Sequence, residues 1–527
     1  MGGLKKSKCY LYIIIIFQVI LIDFISDVNA NNLVISNVSL QDRYPPQKVV
    51  KIQFDITWDH SWRNKINHDA VWLTVRLFDP LQVPVHKRLC SLTTAGLNPE
   101  DVSPGTHKGL EIFIPEDRKG VFVRRAQFSS VETIDSQGVR LSVDYSSCGF
   151  AENDQIQAQI FGIEMVYIPE GAFFAGDHAI STASLKEGSL DTDPWSIRSE
   201  AALTIADVPE NGYYYVSNNS PDEDPTGARF ILPDEFPKGY HPFYVMKYEI
   251  TEGQWVEFVN SLGDQLQRLA RDLTNPVHKN SDTVQYRQTL SCSGSPLLCT
   301  SLRPHRAVSY LTWMDLAAFL DWASLRPITE LEFEKMARGP RLAVAGEFAW
   351  GSTPIESARV ISDGEENGTE FIINTGANGH YNNTVLSGGD TVLGSEHSQG
   401  PLRTGIFATA SSNRITAGAG YYGVMELSGN LAERLVTLGN VGGRLFTGRH
   451  GDGYLTLTGN ANEPGWPGMD VVPVNGVTGD TGSGLRGGSW EDTDTGRLHL
   501  SDRAFAANPA AGLRTSSGRG GRSYDGD

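Results

Sequence analysis

The chain has 527 residues, of which 40% are hydrophobic and 20% charged, and its formal net charge is −18. This length predicts two to four domains, each with enough apolar sequence for a core. The acidity argues against a nucleic-acid partner, which needs clustered Lys and Arg, and against anionic membrane surfaces. Fifty-five glycines predict many tight turns and irregular loops.

Residues 1–30 have the pattern of a secretory signal peptide. Lysines precede an apolar run at residues 10–22, and small residues follow at 28 and 30. The alternative is a membrane anchor, but the run is shorter than the roughly 20 residues that span a bilayer. We expect cleavage after Ala30 and an exported mature chain, extracellular or in the cell envelope, without a transmembrane span.

Four cysteines follow the signal, and an oxidising compartment favours their pairing. Cys292 and Cys299 enclose a short segment with Gly and Pro that allows the chain to close on itself. The sequence therefore predicts the disulfides Cys292–Cys299 and Cys90–Cys148.

Residues 31–160 predict a β domain. Segments such as 49–58 and 71–77 are rich in β-branched and aromatic residues, and Pro- and Asn-rich turns separate them. Short strands in this arrangement are typical of an antiparallel β-sandwich. Its tryptophans suit either core packing or a sugar-stacking face, and packing is the commoner role.

From residue 161 the pattern changes to that of an α+β domain. Three segments with one apolar face begin at Thr251, Thr312 and Thr329, and each predicts a helix with a threonine cap. The first and third also carry Gln or Glu three residues after the threonine, which predicts a capping box. Beyond Gly339 the chain is rich in Gly, Asn, Thr and Ser, so we expect mostly loops there.

Five ordered motifs in this second part resemble formylglycine-generating-enzyme-like (sulfatase-modifying-factor) domains. The clearest is R-P-I-T-E-L-E-F-E-K-M-A-R-G at 326–339. The other motifs lie at 307–315, 348–351, 422–433 and 486–490, with a less sharp tail at Arg503, Gly512, Arg514 and Arg519. The resemblance covers roughly 161–522. It implies that residues 161–527 form the family's C-type-lectin-like α+β fold.

The resemblance also indicates which chemistry to expect. In the family's oxygen-dependent enzymes, two cysteines after the Gly-Gly-Ser motif bind copper and attack the substrate cysteine. Asp492 and Arg497 stand near those two positions here, and no cysteine follows Cys299. Because Cu(I) needs soft thiolates, we expect neither copper nor formylglycine-generating activity. The family's iron enzymes carry a helical bundle with paired histidines, and no comparable pattern occurs here.

Calcium is the metal that the resemblance suggests. Family domains often hold it with loop carbonyls and with the Asn and Glu of a Gly-Asn-x-x-Glu segment, here Asn430 and Glu433. Oxygen ligands suit this hard ion. Alternatively, Asn430 caps a turn and Glu433 hydrogen-bonds the backbone.

Polar and aromatic residues near the Gly-Gly-Ser motif are candidates for a ligand site. Arginines and a tryptophan suit an anionic or sugar ligand through forked hydrogen bonds and stacking. Alternatively, the arginines pair with the domain's many carboxylates. The candidates are Trp490, Asp492, Arg497, Arg503, Arg514 and Arg519.

We therefore predict a secreted, non-catalytic binding or assembly protein with an extracellular protein or glycan partner. One alternative is a calcium-dependent carbohydrate-binding protein. The other is an enzyme of the same superfamily with an active site rebuilt around Asp492, His499 and Arg503.

Overall fold

The computed structural model describes most of the chain outside the predicted signal peptide, which lies beyond the described residues. The described residues are 32–93, 110–178, 180–188, 193–275, 285–362, 366–390, 398–409, 411–509 and 514–524. Among the helices that these ranges contain, none is both long enough and apolar enough to cross a membrane.

The chain is a β-rich α+β protein. The strands are β1 Val34–Tyr44, β2 Val49–Arg63, β3 Asp69–Phe78, β4 Arg88–Leu89, β5 Leu110–Phe113, β6 Val121–Arg125, β7 Ser129–Asp144, β8 Gln157–Ile168, β9 Phe173–Ala175, β10 Lys186–Glu187, β11 Trp195–Ile197, β12 Leu203–Ile205, β13 Tyr213–Tyr214, β14 Phe230–Leu232, β15 Phe243–Met246, β16 Leu290–Ser293, β17 Leu298–Ser301, β18 Arg326–Pro327, β19 Ala432–Val436, β20 Ser483–Arg486, β21 Ser516–Gly518 and β22 Gly520–Ser523. The α-helices are α1 Glu252–Ser261, α2 Gln265–Ala270, α3 Trp313–Trp322, α4 Glu330–Arg338 and α5 Val441–Arg444. Short 3-10 helices lie at Pro45–Gln47, Tyr145–Cys148, Pro209–Asn211, Pro473–Asn475 and Thr495–Leu498.

The largest sheet joins the two halves of the chain. Its strand order is β18-β22-β15-β8-β3-β6-β5, and β4 pairs with β3. Strand β8 lies at the junction, since it pairs antiparallel with β3 on one edge and with β15 on the other. The predicted domain boundary between residues 160 and 161 falls inside β8. Phe161 and Met165 of this strand share one core with Trp72 and Phe122 of the N-terminal strands.

A second sheet, with the order β1-β2-β7, lies over the N-terminal part of the first. Alternate residues of β2 are buried, including Ile52, Phe54 and Ile56, as expected for a strand with one face on a core. They form one buried cluster with Val71 and Leu73 of β3, so the two sheets face each other across this core.

Two tryptophans of the N-terminal region serve packing. Trp58 and Trp72 are fully buried. The indole N–H of Trp58 donates to Asp69 at 3.0 Å, and that of Trp72 donates to the Ala323 carbonyl at 2.9 Å. Neither ring is free to stack on a sugar.

Three helices begin directly after the predicted threonine caps, Thr251, Thr312 and Thr329. Thr251 and Thr329 form capping boxes with Gln254 and Glu332. Thr312 forms one as well, with Asp315 in the position that usually holds Glu or Gln.

Both predicted disulfides are confirmed. Cys90 bonds Cys148, which ties the residue after β4 to the 3-10 helix that follows β7. Cys292 bonds Cys299 directly across the β16–β17 hairpin.

Candidate ligand-binding cavity

A cavity of about 310 Å³ opens beside the Gly-Gly-Ser motif. It lies where β20 ends and the chain turns through Gly487 and Gly488, both in the left-handed backbone region. A Cβ on Gly488 would lie 2.9 Å from the Arg497 carbonyl oxygen, so this approach of two segments requires glycine. The lining residues are Ala432, Leu485, Arg486, Gly487, Gly488, Ser489, Glu491, Asp492, Thr493, Arg497, Asp502, Phe505 and Thr515.

Asp492 presents a partly satisfied carboxylate to this cavity. Its Oδ2 accepts hydrogen bonds from both the backbone N–H and the hydroxyl of Ser489, each at 2.8 Å. Oδ1 accepts none from the described residues. Burial raises the pKa of Asp492 above its ordinary value, against the effect of those two bonds.

Arg497 contributes a donor to the same cavity. Its guanidinium lies 4.9 Å from the centre of the Phe505 ring, and Nη1 is 4.0 Å from Oδ1 of Asp502. Nη1 is buried and has no hydrogen-bond partner among the described residues. The cavity therefore holds an unused acceptor on Asp492 and an unused donor on Arg497.

Trp490 and Arg514 lie beside this cavity rather than in its wall. Trp490 is fully buried and packs against Tyr286 with ring centroids 5.2 Å apart. The guanidinium of Arg514 lies over the other ring of this pair, 5.0 Å from the Tyr286 centroid. It also forms a two-pronged ion pair with Glu491, with Nε at 3.1 Å from Oε2.

Arg503 belongs to a buried ion-pair network that supports the cavity. Its Nε donates to Glu330 at 2.6 Å, and Glu330 also pairs with Arg486. Arg486 lines the cavity and donates to Glu334 at 2.8 Å, and Glu334 in turn pairs with Arg338 at 2.9 Å. These side chains are completely buried. Three of them come from the motif at 326–339, so α4 fixes the position of the cavity wall.

His499 lies outside the cavity lining. Its Nδ1 is 3.3 Å from the hydroxyl of Ser181, and its ring packs against Phe348. Ser181 donates to Asp177 at 2.6 Å, so the serine and not the histidine contacts the carboxylate. Of the residues proposed for a rebuilt active site, only Asp492 lines the cavity.

Asn430 and Glu433 have their side-chain oxygens engaged inside the protein. Oδ1 of Asn430 accepts the N–H of Leu402 at 2.8 Å. Both oxygens of Glu433 accept from Arg519, at 2.6 Å each. Arg519 is thus a structural counter-charge. This donor set does not fit a calcium site in which the Asn430 and Glu433 side chains are both ligands.

The structure brings together three acidic residues that the sequence did not predict to be close: Asp321, Asp452 and Glu463. Their ligand oxygens lie within 4.8 Å of one another. Each already has a protein partner. Asp321 accepts the N–H groups of Asp452 and Asn462, both at 2.9 Å, Asp452 accepts the N–H of Tyr454 at 2.9 Å, and Glu463 lies 3.5 Å from Arg449. These residues are up to 142 positions apart, and only the fold brings them together.

A family model described as "Sulfatase-modifying factor enzyme 1-like domain" matches residues 226–515, more than half of the 527 residues. The chain belongs to this family. The match includes all five motifs and the cavity residues Asp492 and Arg497. No curated protein matches the chain.

Proposed function

We propose that the chain is a secreted, non-catalytic binding or assembly protein of the cell surface or extracellular matrix. Its sulfatase-modifying-factor domain binds a ligand in the cavity beside Asp492 and Arg497. The observation that carries this proposal is that two residues lining one cavity each have a polar atom without a hydrogen bond among the described residues, Oδ1 of Asp492 and the buried Nη1 of Arg497.

The chemistry of this pair favours binding over the family's oxidation. By the family resemblance the two residues are near the positions of the copper enzymes' cysteines, and a carboxylate and a guanidinium are poor ligands for Cu(I). The four cysteines after the signal are all in disulfides. An enzyme rebuilt around Asp492, His499 and Arg503 is disfavoured, because catalysis needs groups that converge on one point.

The same pair favours a ligand with hydroxyl groups. A hydroxyl donates to a carboxylate and accepts from a guanidinium, so a sugar with neighbouring hydroxyls satisfies both residues. Phe505 and the hydroxyls of Ser489 and Thr493 complete a wall of mixed polarity. A volume of about 310 Å³ is at the lower end of the range for small-molecule sites, roughly 300–1,000 Å³. A terminal sugar of an extracellular glycan is the ligand that we infer.

The proposal extends to the fold and to calcium. In it, residues 161–527 have the lectin-like fold of the family, and the two N-terminal sheets form a sandwich. It includes binding that does not require calcium at Asn430 and Glu433, and the ion pair of Arg519 with Glu433 supports this.

A glycan array tests the proposal, with the chain from residue 31 onward as the probe. The variants are Asp492→Asn and Arg497→Gln, and the matched control is the exposed ion-pair residue Arg359→Gln. We expect the native chain and the control to bind the same glycans, with or without EGTA, and each cavity variant to bind at least about tenfold more weakly, the equivalent of 1.4 kcal/mol.

Two results would contradict the proposal. One is an array on which the native chain binds nothing, or on which the cavity variants bind as well as the control. The other is conversion of a sulfatase-derived cysteine peptide to formylglycine when copper and oxygen are supplied.

A further inference from the structure

A second, smaller cavity of about 70 Å³ lies where the N-terminal strands meet the helices of the family domain. Residues of β3, β4 and the segment between them line one side. Residues of α1, α2, α3 and a loop at 453–455 line the other. The lining residues are Arg76, His86, Lys87, Arg88, Leu89, Ser261, Leu262, Gln267, Trp322, Gly453, Tyr454 and Leu455.

The residues around this cavity are positively charged, although the chain has a net charge of −18. Arg76, Lys87 and Arg88 line it, and no carboxylate does so among the described residues. Arg268 lies close behind, since its charge acts on both His86 and Lys87. Burial, followed by the charges of the three arginines, lowers the pKa of His86 to about 4, so this imidazole is neutral at pH 7.

Two carboxylates lie near this group of cations. Glu257 lies 3.7 Å from Nζ of Lys87 and also accepts a hydrogen bond from Gln159 at 2.7 Å. It does not line the cavity. The other is Asp452, which precedes the lining residue Gly453 and acts electrostatically on the lining residue Tyr454. Four cations therefore lie near two carboxylates in this part of the described structure.

Arg76 is the central residue of the cavity. It is 2% exposed, and its guanidinium lies 4.2 Å from the centre of the Trp322 ring. It donates through Nη2 to the Trp322 carbonyl and through Nη1 to the Lys87 carbonyl at 3.2 Å. Its Nε–H is buried without a hydrogen-bond partner among the described residues.

The neighbouring arginines, Arg268 and Arg88, already contact other groups of the protein. All the bonds of Arg268 go to backbone carbonyls, those of Leu262, Leu297, Val85 and Asn260. Arg88 lies over the Phe150 ring and reaches the Cys148 carbonyl at 3.4 Å. Carbonyl dipoles stabilise these arginines only in part, because a dipole does not neutralise a buried charge.

We propose that this cavity binds a small inorganic anion, held by the unused N–H of Arg76 and the charges of Lys87 and Arg88. Guanidinium groups suit chloride and tetrahedral oxyanions alike, and charge-assisted hydrogen bonds to an anion are strong. A volume of about 70 Å³ admits one such ion, far below the roughly 300 Å³ of organic-ligand sites. The bound anion clamps the β3–β4 segment to the helices.

Thermal unfolding at constant ionic strength tests the site. Sodium gluconate provides the baseline, because its organic anion is too large for the cavity, and chloride, bromide, phosphate and sulfate are titrated against it. A ligand that binds only the folded state raises the midpoint in a saturable way. We expect such a rise for the native chain and for Arg359→Gln, and its loss in Arg76→Gln. If Arg76→Gln does not fold, Arg88→Gln is the test variant in its place, because Arg88 is only half-buried.

Crystals grown with sodium bromide give a direct readout. We expect an anomalous peak beside Arg76, and the titration shows whether chloride or an oxyanion binds more tightly. Midpoints that are equal in all salts would overturn the proposal. So would salt effects of the same size in the native chain and in the Arg76 or Arg88 variant, since excluded salts such as sulfate stabilise proteins without a site.

Discussion

Arg519 holds both carboxylate oxygens of Glu433, through Nε and Nη2, at 2.6 Å each. Both side chains are at most 1% exposed. The remaining N–H groups of Arg519 donate to the carbonyls of Met246, Lys247 and Met425. One guanidinium thus joins β15, β19 and the segment before the Gly-Asn motif.

Replacing Arg519 with Gln is expected to destabilise the protein strongly. The change leaves Glu433 buried without a counter-charge, and breaking a buried pair in this way costs about 3–5 kcal/mol. Urea unfolding followed by tryptophan fluorescence measures the loss. Arg359→Gln at the surface is the control and should change stability by less than about 0.5 kcal/mol. A loss of similar size in both variants would contradict the role given to Arg519.

Calcium is expected to have no effect through Asn430 and Glu433, because the oxygens of both side chains are engaged. The measurement is the thermal midpoint with calcium and with EGTA. The variant Asp452→Asn is run in parallel, since it disrupts the acidic cluster with Asp321 and Glu463. A calcium-dependent rise that persists in Asp452→Asn would support the metal site expected from the family resemblance.

Glu426 makes stability depend on pH. Burial raises its pKa to about 7, although the Gly405 N–H and the charge of Arg519 act against this. The folded state therefore holds a proton that the unfolded state has released, and stability falls as the pH rises from about 4.5 to 7. Oε2 of Glu426 has no hydrogen-bond partner in the described residues, so Gln replaces the protonated form without losing a bond.

We expect Glu426→Gln to gain stability relative to the native chain as the pH rises through this range. The measurement is the difference in urea midpoint between the two proteins from pH 5 to 8. Glu132→Gln changes an exposed carboxylate and should give a flat difference. A flat difference for Glu426→Gln would contradict the raised pKa.

The two disulfides are expected to contribute unequally. Cys90 and Cys148 are 58 residues apart, whereas Cys292 and Cys299 are 7 apart. On the chain-entropy model the longer loop contributes about 4 kcal/mol and the shorter about 2.5 kcal/mol. Paired Cys→Ser variants of each disulfide, compared by urea unfolding, measure the difference. Equal losses, or a larger loss for the hairpin disulfide, would contradict the model.

A fragment that begins at Phe161 is not expected to fold. It would lose β3, which pairs with β8 from Gln157 to Val166, and it would expose Phe161 and Met165. Size-exclusion chromatography and thermal unfolding compare this fragment with the chain from residue 31 onward. A monodisperse fragment with a cooperative transition would support the domain boundary predicted at 160/161.

Most of the features that the sequence predicted correctly are local ones, and the disulfide between Cys90 and Cys148, 58 residues apart, is the exception. A threonine cap and its partner lie three residues apart, so the sequence around Thr251 and Thr329 indicates where each helix begins from residues of a single turn. The Cys292–Cys299 hairpin is similarly short. The family motifs placed Asp492 and Arg497 together because these two positions are close in the chain.

The roles of the arginines depend on partners that are distant in the sequence. Composition alone therefore did not show which arginines bind a ligand and which form ion pairs. Arg503 meets Glu330 across 173 positions, and Arg519 meets Glu433 across 86. The cation group at Arg76 was also not predicted, because Arg268 reaches it from α2 while Arg76 lies in β3. Arg268 reaches this group through a hydrogen bond to the Val85 carbonyl, in the segment between β3 and β4.

Strand β22, near the end of the chain, lies inside the largest sheet between β15 and β18. Residues 520–523 must therefore be synthesised before β18 has any partner in this sheet. Pairing over such a sequence separation forms slowly compared with local contacts. Strands β5, β6, β3, β8 and β15 pair with one another without β22, so the edge of the sheet at β18 is the part whose pairing depends on residues 520–523.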